Sequence, residues 1–198
     1  MGNEHLPLRH NERRMFPLRI VAALLALGGA VCFAQDTDFR KNLAPYVPMP
    51  ATIVERVLEA AVIRPGETVY DLGCGDGRIL IAAAEKFKAR AVGIEISAKL
   101  VKAATESVRK LGLQSRVQII QDDILNVDLS PADVVTIYLL TKSNERLRPH
   151  FERDLKPGAR VVSYEFEVRG WKPNHIEKVE SYRRSHYIYV YEMPPQKP

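Results

Sequence analysis

Seven consecutive residues, Asp71-Leu72-Gly73-Cys74-Gly75-Asp76-Gly77, combine an acid with glycines at every second position. They stand between a run of β-formers, Thr68–Leu72, and a helical run, Gly77–Lys88. Glycines let a backbone turn tightly and approach a ligand closely. The N-terminus of the helix that follows offers free amides and a partial positive charge. An acid at the end of the strand suits a ligand that carries an ammonium group rather than a pyrophosphate. The dinucleotide pattern G-x-G-x-x-G fails here, because its third glycine falls on Arg78 or Leu80 depending on where counting begins. A GxxxxGK[ST] phosphate loop is also absent. Further acids close later strand-like runs: Glu95 in Ala91–Ile96, and Asp122-Asp123 after Val117–Gln121.

These residues need a scaffold, and the chain supplies alternating signals for one. Thr52-Ile53-Val54-Glu55 reads as a capping box that opens a helix, with Ile53, Val54, Val57, Leu58 and Ala61 on one face. Ser97–Leu111 is a helix with Ser97 as N-cap and Gly112 as terminator. Val134–Leu140 and Ala159–Phe166 are strands, separated by a short helix near Lys142–Leu147 and a new turn opened by Pro149. His175–Glu180 and Tyr187–Tyr191, with a polar link at Tyr182–Ser185, form an antiparallel hairpin. Such alternation predicts an α/β fold, a doubly wound and mostly parallel sheet that ends in this hairpin. Ligands in such sheets sit beyond the carboxyl ends of the strands, at the switch point. An acid at the end of the second strand, here Glu95, can accept both hydroxyls of a ribose.

In this context D-x-G-x-G-x-G resembles motif I of class I S-adenosylmethionine (SAM) dependent methyltransferases. The resemblance implies a seven-stranded Rossmann-like sheet and SAM as cofactor. It implies that Asp71, Gly73, Cys74, Gly75 and Gly77 cradle that cofactor and that Glu95 takes the ribose. It further implies that Asp123, in preference to Asp122, faces the adenine amino group while Ile124 packs on the ring. An [N/D/S]PP[Y/F] motif after the fourth strand, common where bases are N-methylated, is absent. The chain is more narrowly similar to the protein-lysine methyltransferases of the ATP synthase c-subunit and adenine nucleotide translocase type. Tyr46–Pro50 fits their Y-V-P-x-P, Tyr70–Arg78 fits Y-D-L-G-C-G-D-G-R, and Tyr138–Leu140 with Asn144–Pro149 fits Y-L-L and N-x-x-L-x-P. Thr141 stands where a proline is expected. The similarity covers roughly residues 45–173. It implies a protein lysine as acceptor, with membrane proteins among the candidate substrates. Tyr46 and Tyr138 are then candidates to line a substrate channel, with core packing as the alternative for both. Glu165, after the fifth strand, reads as a solvated acid or as a group that orients an amine.

Residues 1–34 form a separate segment. A polar, basic stretch carrying Arg9, Arg13, Arg14 and Arg19 precedes the uncharged run Ile20–Ala34. As a helix that run spans about 22 Å, against the roughly 30 Å of a bilayer's hydrocarbon core. Cys32 and Ala34 are the small residues of a cleavage site before Gln35, so the segment reads as a signal peptide, with a membrane anchor as the alternative. Residues 35–50 are a linker, 51–193 the catalytic domain and 194–198 a tail. Export or membrane association follows from the leader, and a cytoplasmic location stays open because SAM is made there. Two distant cysteines, Cys32 and Cys74, supply no metal pair, so no metal site is expected. A net charge of +5 is too small to point to nucleic acid. Two other functions stay open: a methyltransferase acting on RNA or a small metabolite, and a SAM-binding protein without catalysis.

Overall fold

The computed structural model describes residues 44–181 and 184–197. The leader and most of the linker lie outside that range, and among the described residues no helix is long and apolar enough to cross a membrane. The elements follow in the order α1 (Ala51–Ala60), β1 (Thr68–Leu72), α2 (Arg78–Lys86), β2 (Arg90–Glu95), α3 (Ala98–Lys110), β3 (Val117–Gln121), β4 (Val134–Ile137), α4 (Thr141–Asp154), β5 (Arg160–Tyr164), β6 (His175–Ser181) and β7 (Arg184–Glu192). One seven-stranded sheet has the order β3-β2-β1-β4-β5-β7-β6. Strands β1 to β5 are parallel, β7 runs antiparallel to β5, and β6 pairs antiparallel with β7 from His175↔Val190 to Ser181↔Arg184. The hairpin strands thus run closer together than the predicted four-residue link allowed. Strand order reverses between β1 and β4, which makes their carboxyl ends the switch point.

Side-chain alternation explains how the sheet holds two helical layers. Val69, Val134, Val162, Tyr164 and Ile188 face one apolar cluster, which α1 and α2 complete with Ile53, Val54, Leu58 and Leu80. Tyr70, Leu72, Val135, Ile137, Val161 and Tyr191 face the other, which α4 completes with Leu147 and Phe151. Because both faces are covered, the central strands read as near-continuous apolar runs, and all four residues of β4 are buried. Trp171 closes the second cluster: its indole N–H donates to Glu152 (2.8 Å), and its ring meets Phe151 and Tyr191 at 5.9 and 5.5 Å.

Two predicted helix boundaries are corrected. Thr52 is not an N-cap. Pro50 caps α1 with its carbonyl, which accepts the N–H groups of Ile53 (2.9 Å) and Val54 (3.0 Å), and no side-chain cap forms. Glu55, free of the capping role, pairs with Lys86 of α2. Pro149 does not open a turn either but lies inside α4. Ser143, Asn144, Leu147, His150 and Phe151 are all buried and follow helical spacing, so the buried stripe runs straight through the proline. Packing on that stripe outweighs the hydrogen bond that proline removes. Strand β5 ends at Tyr164, two residues earlier than expected, because Glu165 turns into a left-handed conformation at φ 65°.

Phe151 is fully buried between α4 and the sheet. Phe151→Ala is expected to lower the unfolding free energy in urea by about 3–5 kcal/mol. A change under about 1 kcal/mol would mean that α4 packs otherwise.

Candidate functional site

The loop after β1 alternates between ordinary and left-handed backbone. Gly73, Gly75 and Gly77 have φ of 83°, 56° and 81°. A side chain on Gly75 would be doubly excluded, since a Cβ there would lie 2.6 Å from a ring carbon of Tyr46. Gly77 serves a different purpose from the other two. It is the N-cap of α2, without side-chain capping, and lets α2 approach α3 at Ala104. The first turn of α2 therefore presents backbone N–H groups at the loop.

The end of β2 holds this loop in place. The carbonyl of Ile94 accepts the N–H groups of Gly73 (2.8 Å) and Cys74 (3.0 Å). The buried carboxylate of Glu95 accepts from Gly75 (3.0 Å) through one oxygen and from Ser97 (2.9 Å) through the other. Ser97 in turn caps α3. Asp71 is also buried, and accepts a hydrogen bond of 2.8 Å from the hydroxyl of Thr136 on β4. Burial pushes its pKa up to about 7, helped by the charges of Glu95 and Asp76 and opposed by the Thr136 hydrogen bond. A carboxylate in that state gains most from a cationic neighbour.

Asp71, Gly73, Cys74, Gly75, Glu95, Asp123, Ile124, Tyr46 and Tyr138 all line one cavity of about 250 Å³ at the switch point. Gly77 stands behind it. Asp122 is exposed, and its carboxylate accepts the N–H of Asp123 (2.7 Å). The Cys74 thiol is buried and its pKa is driven up by desolvation, so it contributes shape rather than reactivity.

Sequence reasoning missed the clamp that brings Tyr46 to the cavity. Arg78, the first residue of α2, grips both oxygens of Asp76 (2.9 and 2.5 Å) and donates to the carbonyl of Met49 (2.5 Å). Arg78 first, through its hydrogen bond, holds the Asp76 carboxyl below its usual range. This ion pair fastens the strap Ala44–Pro50 over the glycine loop, and Tyr46 with Val47 remains at the exposed rim. Asp76 and Arg78 stand in the matched run Tyr70–Arg78, but nothing in that run says that they reach the strap. Glu165 departs from the solvated reading: its side chain is only 17% exposed and contacts His186.

Comparison with known proteins agrees with this geometry. The family model of the ANTKMT methyltransferase domain matches residues 71–175. A protein-lysine N-methyltransferase of Saccharolobus islandicus is 48% identical over 148 residues, covering 74% of this chain and 92% of that protein. The adenine nucleotide translocase lysine N-methyltransferase of Mus musculus is 34% identical over 170 residues, covering 82% and 74%. The Xenopus laevis lysine N-methyltransferase of the ATP synthase c-subunit is 34% identical, and this chain spans 60% of its length. Among solved structures, an RNA methyltransferase from Salinibacter ruber in complex with S-adenosyl-L-homocysteine superposes with a TM-score of 0.72 at 40% identity, covering 77% of this chain and 97% of that one. The match to the family model from the glycine loop through β5, together with these relatives, establishes that the chain belongs to the ANTKMT methyltransferase family.

Proposed function

We propose that this protein uses SAM to methylate the side-chain amine of a protein lysine. The observation that carries the cofactor half is the pair of buried carboxylates, Asp71 and Glu95, on either side of a left-handed glycine loop at the switch point. Asp71 suits the ammonium of the methionyl moiety. The remaining lone pairs of Glu95 suit two ribose hydroxyls, since each carboxylate oxygen can accept more than one hydrogen bond. Asp123 and Ile124 suit the adenine edge and face, as the family pattern implies. The S-adenosyl-L-homocysteine in the Salinibacter relative supports the same choice.

Bound SAM supplies an electrophilic methyl group on sulfur. The protein's own contribution is alignment and the exclusion of water, which together can provide most of the acceleration. Tyr46 and Tyr138 line the cavity, and in this reading they wall its acceptor side. A lysine is nucleophilic only when neutral, and its free pKa is about 10.4. Taking its ammonium out of water disfavours the charged form. The protein-lysine reading draws on the Saccharolobus, mouse and Xenopus relatives, which are lysine N-methyltransferases. A second reading, RNA methylation, is favoured by the Salinibacter relative, an RNA methyltransferase. We further propose that the 1–34 leader directs the enzyme to or across a membrane, which makes membrane proteins candidate acceptors.

Radiolabelled SAM added to membrane and soluble extracts with the purified protein should label protease-sensitive material that hydrolyses to methyllysine. Label confined to ribonuclease-sensitive material or small molecules would refute the lysine reading. SAM affinity should also depend on pH. A carboxyl that titrates near 7 must lose its proton to meet an ammonium. Affinity therefore falls roughly tenfold per unit below that pH, and falls again where the ligand's α-amino group, with an ordinary pKa of about 7.7–8.0, loses its own proton. Calorimetry on wild type and Asp71→Asn should show the acid-side slope in the first and no such slope in the second. A wild-type profile flat on the acid side would contradict the Asp71 assignment.

A further inference from the structure

The strap Ala44–Pro50 crosses the edge of the sheet that carries the site. Ala44 packs against the apolar cluster on one face of the sheet, and the buried Met49 belongs to the cluster on the other. Between them the Tyr46 ring rests on Gly75, where an added Cβ would meet it at 2.6 Å. Tyr46, Val47, Pro48 and Met49 line the same cavity as Asp71 and Gly73. A cofactor seated over the glycine loop, with its ammonium toward Asp71, has the strap on its other flank. Little holds the strap there. Pro45, Pro48 and Pro50 carry no N–H and restrict the backbone. Among the described residues no backbone–backbone hydrogen bond ties Ala44–Met49 to the body. The tether is a side chain: Nη1 of Arg78 donates to the Met49 carbonyl (2.5 Å).

Local physics does not favour an arginine at this position. Arg78 opens α2, where a cation opposes the helix dipole. Asp76 offsets that opposition and aims the guanidinium. Its Oδ1 accepts from Nε (2.9 Å) and from the Arg78 backbone N–H (3.3 Å), and its Oδ2 accepts from Nη2 (2.5 Å). Nη1 is left to face the strap. Tyr46 meets the same pair: burial first, and then the charge of Asp76, raise the pKa of its phenol, with Arg78 opposing. The Arg78 and Asp76 side chains are 36% and 32% exposed. A pair so open to water contributes modestly and is readily broken, which suits a fastening that must open.

We propose that Arg78 and Asp76 are positioning residues that latch the strap over the bound cofactor, so that SAM enters and S-adenosyl-L-homocysteine leaves when the guanidinium releases the Met49 carbonyl. This rests on the cofactor assignment and needs nothing from the lysine reading. Latched, the strap holds Tyr46 over the glycine loop and keeps water from the methionyl end. Unlatched, it opens that flank for exchange.

The test is the dissociation rate of labelled SAM from the full chain, chased with excess unlabelled SAM. Arg78→Met keeps the length of the side chain and removes its donors, and Asp76→Ala removes what aims them. Each should speed dissociation about tenfold, the scale of one lost charge-assisted hydrogen bond. Arg78→Lys, which keeps the charge without the fork, should fall between wild type and Arg78→Met. The double variant should be no faster than the faster single one, since one latch is broken once. Unchanged dissociation in the single variants would overturn the proposal, and earlier melting alongside it would mark a merely structural role. Faster dissociation in Arg78→Met with unchanged or slower dissociation in Asp76→Ala would also overturn it, because Arg78 would then touch the cofactor itself. Hydrogen exchange gives a second readout. S-adenosyl-L-homocysteine should protect the amides of Tyr46, Val47 and Met49 more in wild type than in Arg78→Lys, and equal protection would contradict the latch. A wild type that binds no SAM would instead remove the cofactor assignment. Methylation of RNA in place of protein would defeat the lysine reading and leave the latch result standing.

Discussion

The carboxylate of Glu95 carries the organisation of the site. It closes β2, is buried, and divides its two oxygens between the N–H of Gly75 in the first loop and that of Ser97 at the start of α3. Two connections that leave neighbouring parallel strands are thereby tied to one anion. Hydrogen bonds from backbone N–H to a buried carboxylate are charge-assisted and stronger than neutral ones. Leaving such a charge unpaired would be costly. The glycine loop consequently has little freedom to relax. Its left-handed residues are held over the end of β2, and the first turn of α2 is aimed at the space between them.

The rest of the molecule makes that arrangement possible. Parallel strands covered on both faces bring their carboxyl ends to one edge, and the reversal between β1 and β4 opens the gap there. Thr136 on β4 reaches back to Asp71 on β1, so the second buried acid is also held across strands. The antiparallel β7 brings His186 to the same edge from the opposite chain direction, beside the end of β5. The strap ahead of α1 covers the loop through Arg78 and Asp76. The cavity is therefore lined from the strap, the glycine loop and the ends of the central strands together.

Much of this was legible in the sequence, because the physics involved is local or periodic. A glycine at every second position behind an acid signals a turn that other residues cannot make, and all three take positive φ. Alternating β and helical periodicity predicted the parallel sheet and its closing hairpin. Where prediction failed, a distant contact had overridden a local preference. Thr52 and Glu55 have the composition of a capping box, yet the helix already starts from the Pro50 carbonyl and Glu55 pairs with Lys86 instead. Pro149 reads as a stop, but buried neighbours on both sides of it keep α4 helical. Glu165 looks like a surface acid because its partner His186 is remote in sequence and arrives only through the fold of β7. The Arg78 clamp was invisible for the same reason, since the Met49 carbonyl it binds carries no side-chain signal.

If Glu95 both frames the glycine loop and receives the ribose, one substitution separates this reading from a generic glycine turn. Calorimetric titration of SAM into Glu95→Ala, with folding confirmed by circular dichroism, should show affinity reduced by on the order of 100-fold or more, as expected for the loss of two charge-assisted hydrogen bonds. A folded Glu95→Ala protein that binds SAM as tightly as wild type would contradict it.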